Sequence, residues 1–323
     1  MREFIKPIVV VSKCIEFSPC RYNGDKLSDQ TVHNLKPFVE FIPICPEVEI
    51  GLGTPREVIR LIADGEKNRL VQPKTGQDLT KMMEEFAHAF LEELPDVDGF
   101  ILKNRSPSCG ITDVKVYSGL EKSPTIRTGS GAFTSNVLLA FPHTAIEDEG
   151  RLKNFKIREH YLTKLFTTTE FKKIKATQQI DQLNRFHKKN KYLFMAYNQK
   201  RLKILGRILS NKEKRPLEEL FHYYEEELFK LFGRVPRFTS NINVCHHIFG
   251  YFSPHLSGKE KEYFLEMLEK YQEKKIPLSS VVCILKAWAY RFENEYMLDQ
   301  TFFEPYPEAL VEISDSGKGR DYG

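Results

Sequence analysis

The sequence of 323 residues predicts an α/β domain built on a parallel sheet, followed by an all-α domain. Three short apolar runs in the first half are typical of buried strands, and helical patterns separate them. Strands that alternate with helices usually pair in parallel within one sheet. From about residue 167 onward, long helical patterns follow with little strand signal. We therefore predict domains at 1–166 and 167–314 and a polar, disordered tail at 315–323.

The predicted strands cover residues 7–12, 38–44 and 99–103. Residues 78–94 form the clearest helix of the first half, because apolar side chains recur there at helical spacing. The polar segment 119–131 contains Gly and Pro and predicts a surface loop. Later helices are expected at 178–209 with a break near Asn198, and at 217–232, 259–274 and 281–292.

The charge of the chain is distributed unevenly. The net charge is only +4, but residues 151–215 contain 19 Lys or Arg and 4 Asp or Glu, an excess of +15. Such a segment favours a polyanionic partner. The N-terminus does not resemble a signal peptide, and no apolar run reaches the roughly 18 residues of a membrane span. The six cysteines show no disulfide spacing, so we expect a cytoplasmic protein with metal-binding or catalytic thiols.

Three cysteines follow predicted strands, namely Cys14, Cys45 and Cys109. The carboxyl ends of parallel strands share one edge of a sheet, so these thiols are expected to converge. Their wide spacing matches neither a zinc ribbon nor a ferredoxin sequence. A four-iron cluster with one iron free of protein, a catalytic zinc, and three unrelated buried cysteines are all compatible with this pattern.

Polar residues beside these thiols are candidates for catalysis. Glu47 is placed to act as an acid/base, and the alternative is an ion pair with Arg56 or Arg21. Ser106 and Ser108 are suited to donate hydrogen bonds to a ligand, and the alternative is that they shape the turn. The residues alone leave both alternatives open.

The other cysteines receive different interpretations. Cys20 lies near Cys14 in the sequence and is interpreted as an auxiliary thiol. Cys245 and Cys283 lie in apolar, helical surroundings and are expected in the core.

The basic segment mixes cations with aromatic residues. Five of its cations are predicted to bind RNA through phosphates: Arg185, Lys188, Lys189, Lys191 and Arg207. The alternative is a solvated helix face, and the size of the charge excess favours a nucleic acid.

Longer motifs resemble known families. VSKCIEFSPCRYNG, ICPEVEIGLGTPRE and KNRSPSCG resemble the three signatures of the TudS-type thiouracil desulfidases. The second half is similar to the YbgA-type helical domain through RFHKKNKYLFMAYN, LGRIL, HHIFGYFSPHLS and DQTFFEPYP. The pairing of the two domains resembles the RudS-type desulfidases, which act on 4-thiouridine in transfer RNA.

This resemblance implies a [4Fe-4S] cluster held by Cys14, Cys45 and Cys109, with one open iron. Glu47 would be the acid/base, and a serine of the SPSCG motif would position the substrate. A thiocarbonyl sulfur is a soft ligand suited to such an iron. Water would attack the thiocarbonyl carbon and sulfide would leave on the iron, with no net electron transfer. We predict substrate contacts from residues in and around the motifs: Ser12, Lys13, Arg21, Tyr22, Asn23 and Arg56.

One departure from the family pattern affects the substrate. This chain reads SKC followed by IEFSPC where the short relatives read SACLLG, which leaves the role of Cys20 open. The departure also argues against simply transferring free thiouracil as the substrate. Desulfidation of free thiopyrimidines or 4-thio-UMP is the first alternative to tRNA, and a non-catalytic iron–sulfur sensor of nucleic acid is the second. The basic segment favours tRNA, whose thiolated pyrimidine base would have to leave its stack. Glu47 favours an enzyme over a sensor.

Overall fold

The computed structural model describes residues 2–120 and 123–312. The chain divides into two compact units, one of residues 1–169 with 309–323 and one of residues 170–308. The boundary falls within the helix Phe155–Thr177. The predicted tail at 315–323 lies outside the described residues.

The elements of the first unit alternate between strands and helices. In chain order they are β1 (Ile8–Ser12), α1 (Gln30–Leu35), β2 (Glu40–Ile44), α2 (Pro46–Glu49), β3 (Arg60–Asp64), β4 (Lys67–Gln72), β5 (Gln77–Asp78), α3 (Thr80–Glu93), β6 (Gly99–Leu102), β7 (Val114–Tyr117), β8 (Thr125–Gly129), α4 (Ala132–Ala140) and β9 (Ala145–Asp148). The three predicted strands and the predicted helix of this half correspond to β1, β2, β6 and α3.

One sheet is entirely parallel and has the strand order β2-β1-β6-β9. β6 is buried along its whole length, and Val9 to Val11 of β1 are fully buried, as expected of central strands covered on both faces. The predicted α/β fold with a parallel sheet is confirmed. The carboxyl ends of β1, β2 and β6 therefore lie along one edge.

A second sheet has the order β5-β4-β3-β7-β8 and mixes parallel with antiparallel pairs. The surface loop predicted at 119–131 is wrong in part, because β8 lies within it and pairs with β7. β8 is exposed along most of its length and shows no apolar alternation. Its pairing depends on the edge offered by β7, which the local sequence does not reveal.

The remaining elements are helical, as predicted. They are α5 (Phe155–Thr177), α6 (Ile180–Lys189), α7 (Lys191–Ser210), α8 (Leu217–Leu231), α9 (Phe238–Phe252), α10 (Gly258–Gln272), α11 (Leu278–Arg291) and α12 (Glu295–Leu298). The predicted break near Asn198 is present, with φ −162° and ψ 101° inside α7. No helix in the described part of the chain has both the length and the apolar character to span a bilayer.

The two helical cysteines have different environments. Cys245 is fully buried on α9, which confirms the expected core position. The core position expected for Cys283 is wrong, because this residue is exposed. The buried face of α11 contains Val281 and Leu285, and Cys283 lies halfway between them, on the opposite side of the helix.

Candidate active site

Three buried cysteines lie at the carboxyl edge of the parallel sheet. Cys14 follows β1, Cys45 is the residue before α2, and Cys109 lies in the turn after β6. Their exposed fractions are only 8%, 8% and 5%. Cys109 interacts electrostatically with Cys45. The topology thus brings two strand-end thiols together, and a fourth cysteine connects them with Cys14.

That fourth cysteine is Cys20, whose thiol shares hydrogen bonds with Cys14 and Cys45. It is 6% exposed, and its carbonyl accepts a hydrogen bond from Nη1 of Arg56 at 2.9 Å. Four buried thiols therefore form one group. Cys20, interpreted from the sequence as an auxiliary thiol, thus lies within the thiol group. The available signal was its separation of only six residues from Cys14, which lets a single loop present both thiols.

Three thiols of the group, those of Cys20, Cys45 and Cys109, have raised pKa values. The hydrogen bond with Cys14 raises the pKa of Cys20 to about 11, and burial raises the pKa of Cys109 to about 12. The hydrogen bond with Cys20 raises the pKa of Cys45. Binding of iron or another soft cation would displace these protons, because the thiolate is the ligating form. Within residues 2–120 and 123–312, no three His, Cys, Asp or Glu side chains are placed to ligate one metal ion.

Glu47 lies beside the thiols on the short helix α2. Its Oε2 accepts hydrogen bonds from Nε of Arg56 at 2.8 Å and from Nη2 at 2.5 Å. Its Oε1 accepts one from Oγ of Ser106 at 3.3 Å. The carboxylate is 8% exposed and interacts electrostatically with Cys45 and Cys109. The ion pair with Arg56, given above as an alternative, is therefore present, and it places the carboxylate next to the thiols.

The two serines of the SPSCG turn differ in their contacts. Oγ of Ser106 accepts hydrogen bonds from the amides of Ser108 and Cys109 at 3.2 and 3.1 Å while it donates to Glu47. Ser108 is completely buried, and its hydroxyl has no hydrogen-bond partner among residues 2–120 and 123–312. Ser106 thus both shapes the turn and connects it with the carboxylate, whereas Ser108 has a free polar atom in a buried position.

The beginning of α4 anchors this turn. Amides of Ala132 and Phe133 donate to the carbonyls of Pro107 and Ser108 at 2.9 and 3.0 Å. Oγ1 of Thr134 donates to the carbonyl of Cys109 at 2.7 Å. These bonds fix the backbone of Cys109 against a helix rather than leaving it in a free loop.

The predicted substrate contacts fall into two groups. Ser12 is buried, its Oγ accepts the amide of Lys103 at 2.9 Å, and its hydroxyl also bonds with Cys109. Lys13 is half-buried and directly precedes Cys14. Together with Arg56, these residues lie at the thiol group.

The other group lies in the turn after Cys20. Arg21 is half-buried, and its guanidinium lies 5.9 Å from the ring of Tyr22. Tyr22 is 46% exposed, and Asn23 is exposed and hydrogen-bonded to Asp25 at 2.5 Å. Tyr22 and Asn23 thus lie at the surface, outside the buried group.

Glu16 holds the loop that contains Cys14 and Cys20. It has a positive φ of 68°, an uncommon conformation for a side chain of this kind. Its carboxylate accepts hydrogen bonds from the amide of Asp29 at 2.7 Å and Nζ of Lys36 at 3.1 Å. The loop is therefore attached to α1 by a single side chain that is only 8% exposed.

We expect this attachment to depend on pH. Burial raises the pKa of Glu16, but the amide of Asp29 and the cation of Lys36 lower it, and the net value is about 2 against an ordinary 4.5. The unfolded chain binds the proton more readily, so stability is lost as the pH falls from about 4.5 toward 2. Urea unfolding between pH 6 and pH 3 should show a smaller pH dependence for Glu16→Gln than for the wild type. Parallel curves for the two proteins would contradict this.

The cations predicted to bind RNA separate into paired and unpaired ones. Lys189 is half-buried and forms an ion pair with Glu170. Arg185, Lys188 and Arg207 are exposed, Lys191 is half-buried, and none of them has a carboxylate partner among the described residues. The available positive charge therefore comes from four of the five predicted residues.

Both parts of the chain resemble known proteins. Residues 9–149 match the family described as 2-thiouracil desulfurase, and residues 191–307 match DUF1722, described as a protein of unknown function. YbbK of Bacillus subtilis (strain 168) is 30% identical over 131 residues, which is 38% of this chain and 85% of YbbK. YbgA of Escherichia coli (strain K12) is 22% identical over 133 residues, 41% of this chain and 78% of YbgA.

A solved structure, the [4Fe-4S]-dependent thiouracil desulfidase TudS, is 26% identical to this chain. The match covers 46% of this chain and 93% of TudS, with a TM-score of 0.35. The similarity to YbbK extends over most of the length of YbbK, and the family match falls on the unit that contains the thiols and Glu47. Through that unit the chain belongs to the 2-thiouracil desulfurase family, enzymes that cleave carbon–sulfur bonds.

Proposed function

We propose that the protein is an iron–sulfur-dependent desulfidase that replaces the sulfur of 4-thiouridine in tRNA by oxygen. The observation that carries this proposal is the placement of Glu47 beside four buried thiols. One carboxylate oxygen is fixed by Arg56 and the other faces Ser106. A carboxylate at such a position is suited to proton transfer, which a purely structural or sensing metal site does not require.

The donor set fits a cluster. Cys14, Cys45 and Cys109 are buried, and thiolates are the usual ligands of iron–sulfur clusters. In a cluster each thiolate binds a different iron, so the ligands need not surround a single ion. The unpartnered hydroxyl of Ser108 is a donor available to a cluster sulfur. When bound with three protein ligands, the cluster supplies an open iron that accepts the soft thiocarbonyl sulfur and polarises its bond to carbon.

Side chains around Glu47 determine which atom accepts the proton of the attacking water. Arg56 keeps Oε2 of Glu47 occupied, so Oε1 is the atom that takes a proton from the attacking water. The hydroxyl of Ser106 lies 3.3 Å from Oε1 and orients it. The resulting hydroxide adds to the ring carbon, and the carbon–sulfur bond then breaks as the added hydroxyl loses its proton and becomes the carbonyl oxygen. The sulfur leaves as hydrogen sulfide with both protons of the water, one returned by Glu47 and one from the added hydroxyl. The exchange is hydrolytic and needs no electron donor.

Cations of the helical unit favour RNA, rather than a free nucleotide, as the molecule that contains the thiolated base. Arg185, Lys188, Lys191 and Arg207 have no carboxylate partner in the part of the chain that the structure describes, which leaves them available for phosphates. A thiouridine within a folded RNA must leave its stack to enter a buried site, which requires the enzyme to hold the surrounding nucleotides. We expect the affinity to fall with increasing salt, as it does when Lys and Arg contact phosphates.

The test compares two substrates. Protein loaded anaerobically with iron and sulfide should contain about four irons per chain. It is then incubated with bulk tRNA and with 4-thio-UMP, and the loss of thiouridine absorbance and the release of sulfide are measured in each. We expect faster turnover on tRNA. Turnover on 4-thio-UMP but not on tRNA would mean that the substrate is a free nucleotide. If the loaded protein is inactive on both substrates, the proposed desulfidase activity is contradicted. Stoichiometric zinc without iron would contradict the proposed iron–sulfur cluster.

A further inference from the structure

Three tyrosines meet on one side of the helical unit. The rings of Tyr251 on α9 and Tyr296 on α12 lie 6.0 Å apart with an interplanar angle of 42°. Tyr192 on α7 contacts Tyr251 edge-on, with centroids 6.4 Å apart. Tyr192 is buried, Tyr296 is half-buried and Tyr251 is 43% exposed. We call Tyr251 and Tyr296, with Tyr192 beneath them, the tyrosine face.

Two lysines flank the tyrosine face. Nζ of Lys188 lies 5.4 Å from the ring of Tyr296, and Nζ of Lys191 lies 5.4 Å from the ring of Tyr192. Glu295 and Asp299 are exposed nearby in the sequence but form no ion pair with either lysine. Each ammonium group thus lies within cation–π distance of a ring of the tyrosine face.

The face is held in place by one buried amide. Nε2 of Gln300 donates to the carbonyls of Lys188 and Tyr296 at 3.1 and 3.2 Å. Oε1 of the same side chain accepts the amide of Tyr192 at 3.5 Å. Gln300 is 1% exposed. This side chain therefore connects the end of α6, the start of α7 and α12, so the lysines and rings are positioned in advance.

We propose that the tyrosine face binds an unpaired nucleotide of an RNA, with its base stacked on Tyr251 and its phosphates at Lys188 and Lys191. An exposed aromatic ring with cations beside it is the combination that binds single-stranded nucleic acids. Bases within a duplex are covered on both faces by their neighbours, so the face selects loops or unpaired ends. The inference deepens the proposed function and rests on it only for the identity of the RNA.

The experiment measures binding of the full chain to a labelled single-stranded RNA and to the same strand in a duplex. Tyr251→Leu removes the stacking ring, and Tyr263→Leu is its control, since Tyr263 is 53% exposed on α10. We expect Tyr251→Leu to weaken single-strand binding about 5- to 150-fold, the effect of losing one stacked base, with duplex binding unchanged. The salt dependence should persist, because the lysines remain.

The double variant Lys188→Gln, Lys191→Gln should lower the salt slope by about 1.4, since each phosphate contact on a single strand contributes about 0.7. Lys259→Gln, an exposed cation on α10, is the control. Equal single-strand affinity for Tyr251→Leu and Tyr263→Leu would overturn the inference, as would tighter wild-type binding to the duplex.

Turnover on 4-thio-UMP separates this inference from the proposed function. Tyr251→Leu should act on the free nucleotide as the wild type does, because the thiols and Glu47 are untouched. If the wild type desulfidates tRNA but Tyr251→Leu binds RNA as tightly as the wild type does, the inference is overturned and the proposed function stands. An inactive wild type whose RNA binding still depends on Tyr251 would support the inference and contradict the function.

Discussion

Replacing Glu47 by glutamine is expected to lower the turnover of desulfidation by about 10²- to 10⁴-fold, the range that general acid–base catalysis supplies. Glutamine has nearly the same size, and its amide oxygen still accepts a hydrogen bond from Arg56. It cannot take a proton from water at the position of Oε1. Because the three strand-end thiols are unchanged, the iron content of the loaded protein should equal that of the wild type. Initial rates on thiolated substrate and iron analysis measure the two quantities.

Glu49→Gln is the matched control for this prediction. Glu49 lies on the same short helix, is exposed, and forms no ion pair among the described residues. Its replacement should change neither rate nor iron content. If Glu47→Gln turns over at the rate of Glu49→Gln, proton transfer by Glu47 is excluded. If Glu47→Gln loses iron together with activity, its carboxylate serves mainly to hold Arg56 and the loops around the thiols.

The strand-end geometry could be derived from the sequence because it depends on local signals. β1 and β6 are buried apolar runs, and such runs identify central parallel strands without knowledge of the rest of the fold. Parallel strands then place Cys14, Cys45 and Cys109 at one edge. Glu47 follows from its position two residues after Cys45, and its partner Arg56 lies only nine residues further on.

Other features depend on contacts that no local pattern records. Cys20 joins the thiols because its loop is folded back and attached to α1 through Glu16. Lys189 resembles its neighbours in sequence, yet Glu170, on the preceding helix, neutralises it. The tyrosine face combines residues of three separate helices, α7, α9 and α12. In each case the deciding partner lies on a different loop or helix, where helical or strand periodicity carries no information.

Replacing Gly131 by alanine is expected to disrupt the turn that presents Cys109. A Cβ at Gly131 would lie 2.5 Å from the carbonyl carbon and oxygen of Ser108 and 2.9 Å from the amide of Cys109. These are backbone atoms, and the amides of α4 hold them, so they cannot rotate away. We expect the iron content of the loaded protein to fall by at least half. The free energy of unfolding should drop by about 1–3 kcal/mol, the usual cost of overpacking a buried site.

Gly129→Ala separates steric crowding from a general effect of replacing glycine. A Cβ at Gly129 would meet its nearest atoms, on Asn68 and Val116, at 3.8 and 3.9 Å, an ordinary van der Waals contact. The backbone at Gly131 has φ −64° and ψ 157°, which alanine also adopts, so the predicted loss arises from steric contact with the backbone of Ser108 and Cys109. Equal iron content and unfolding free energy in both variants would mean that close packing against α4 is not what positions the Cys109 thiol.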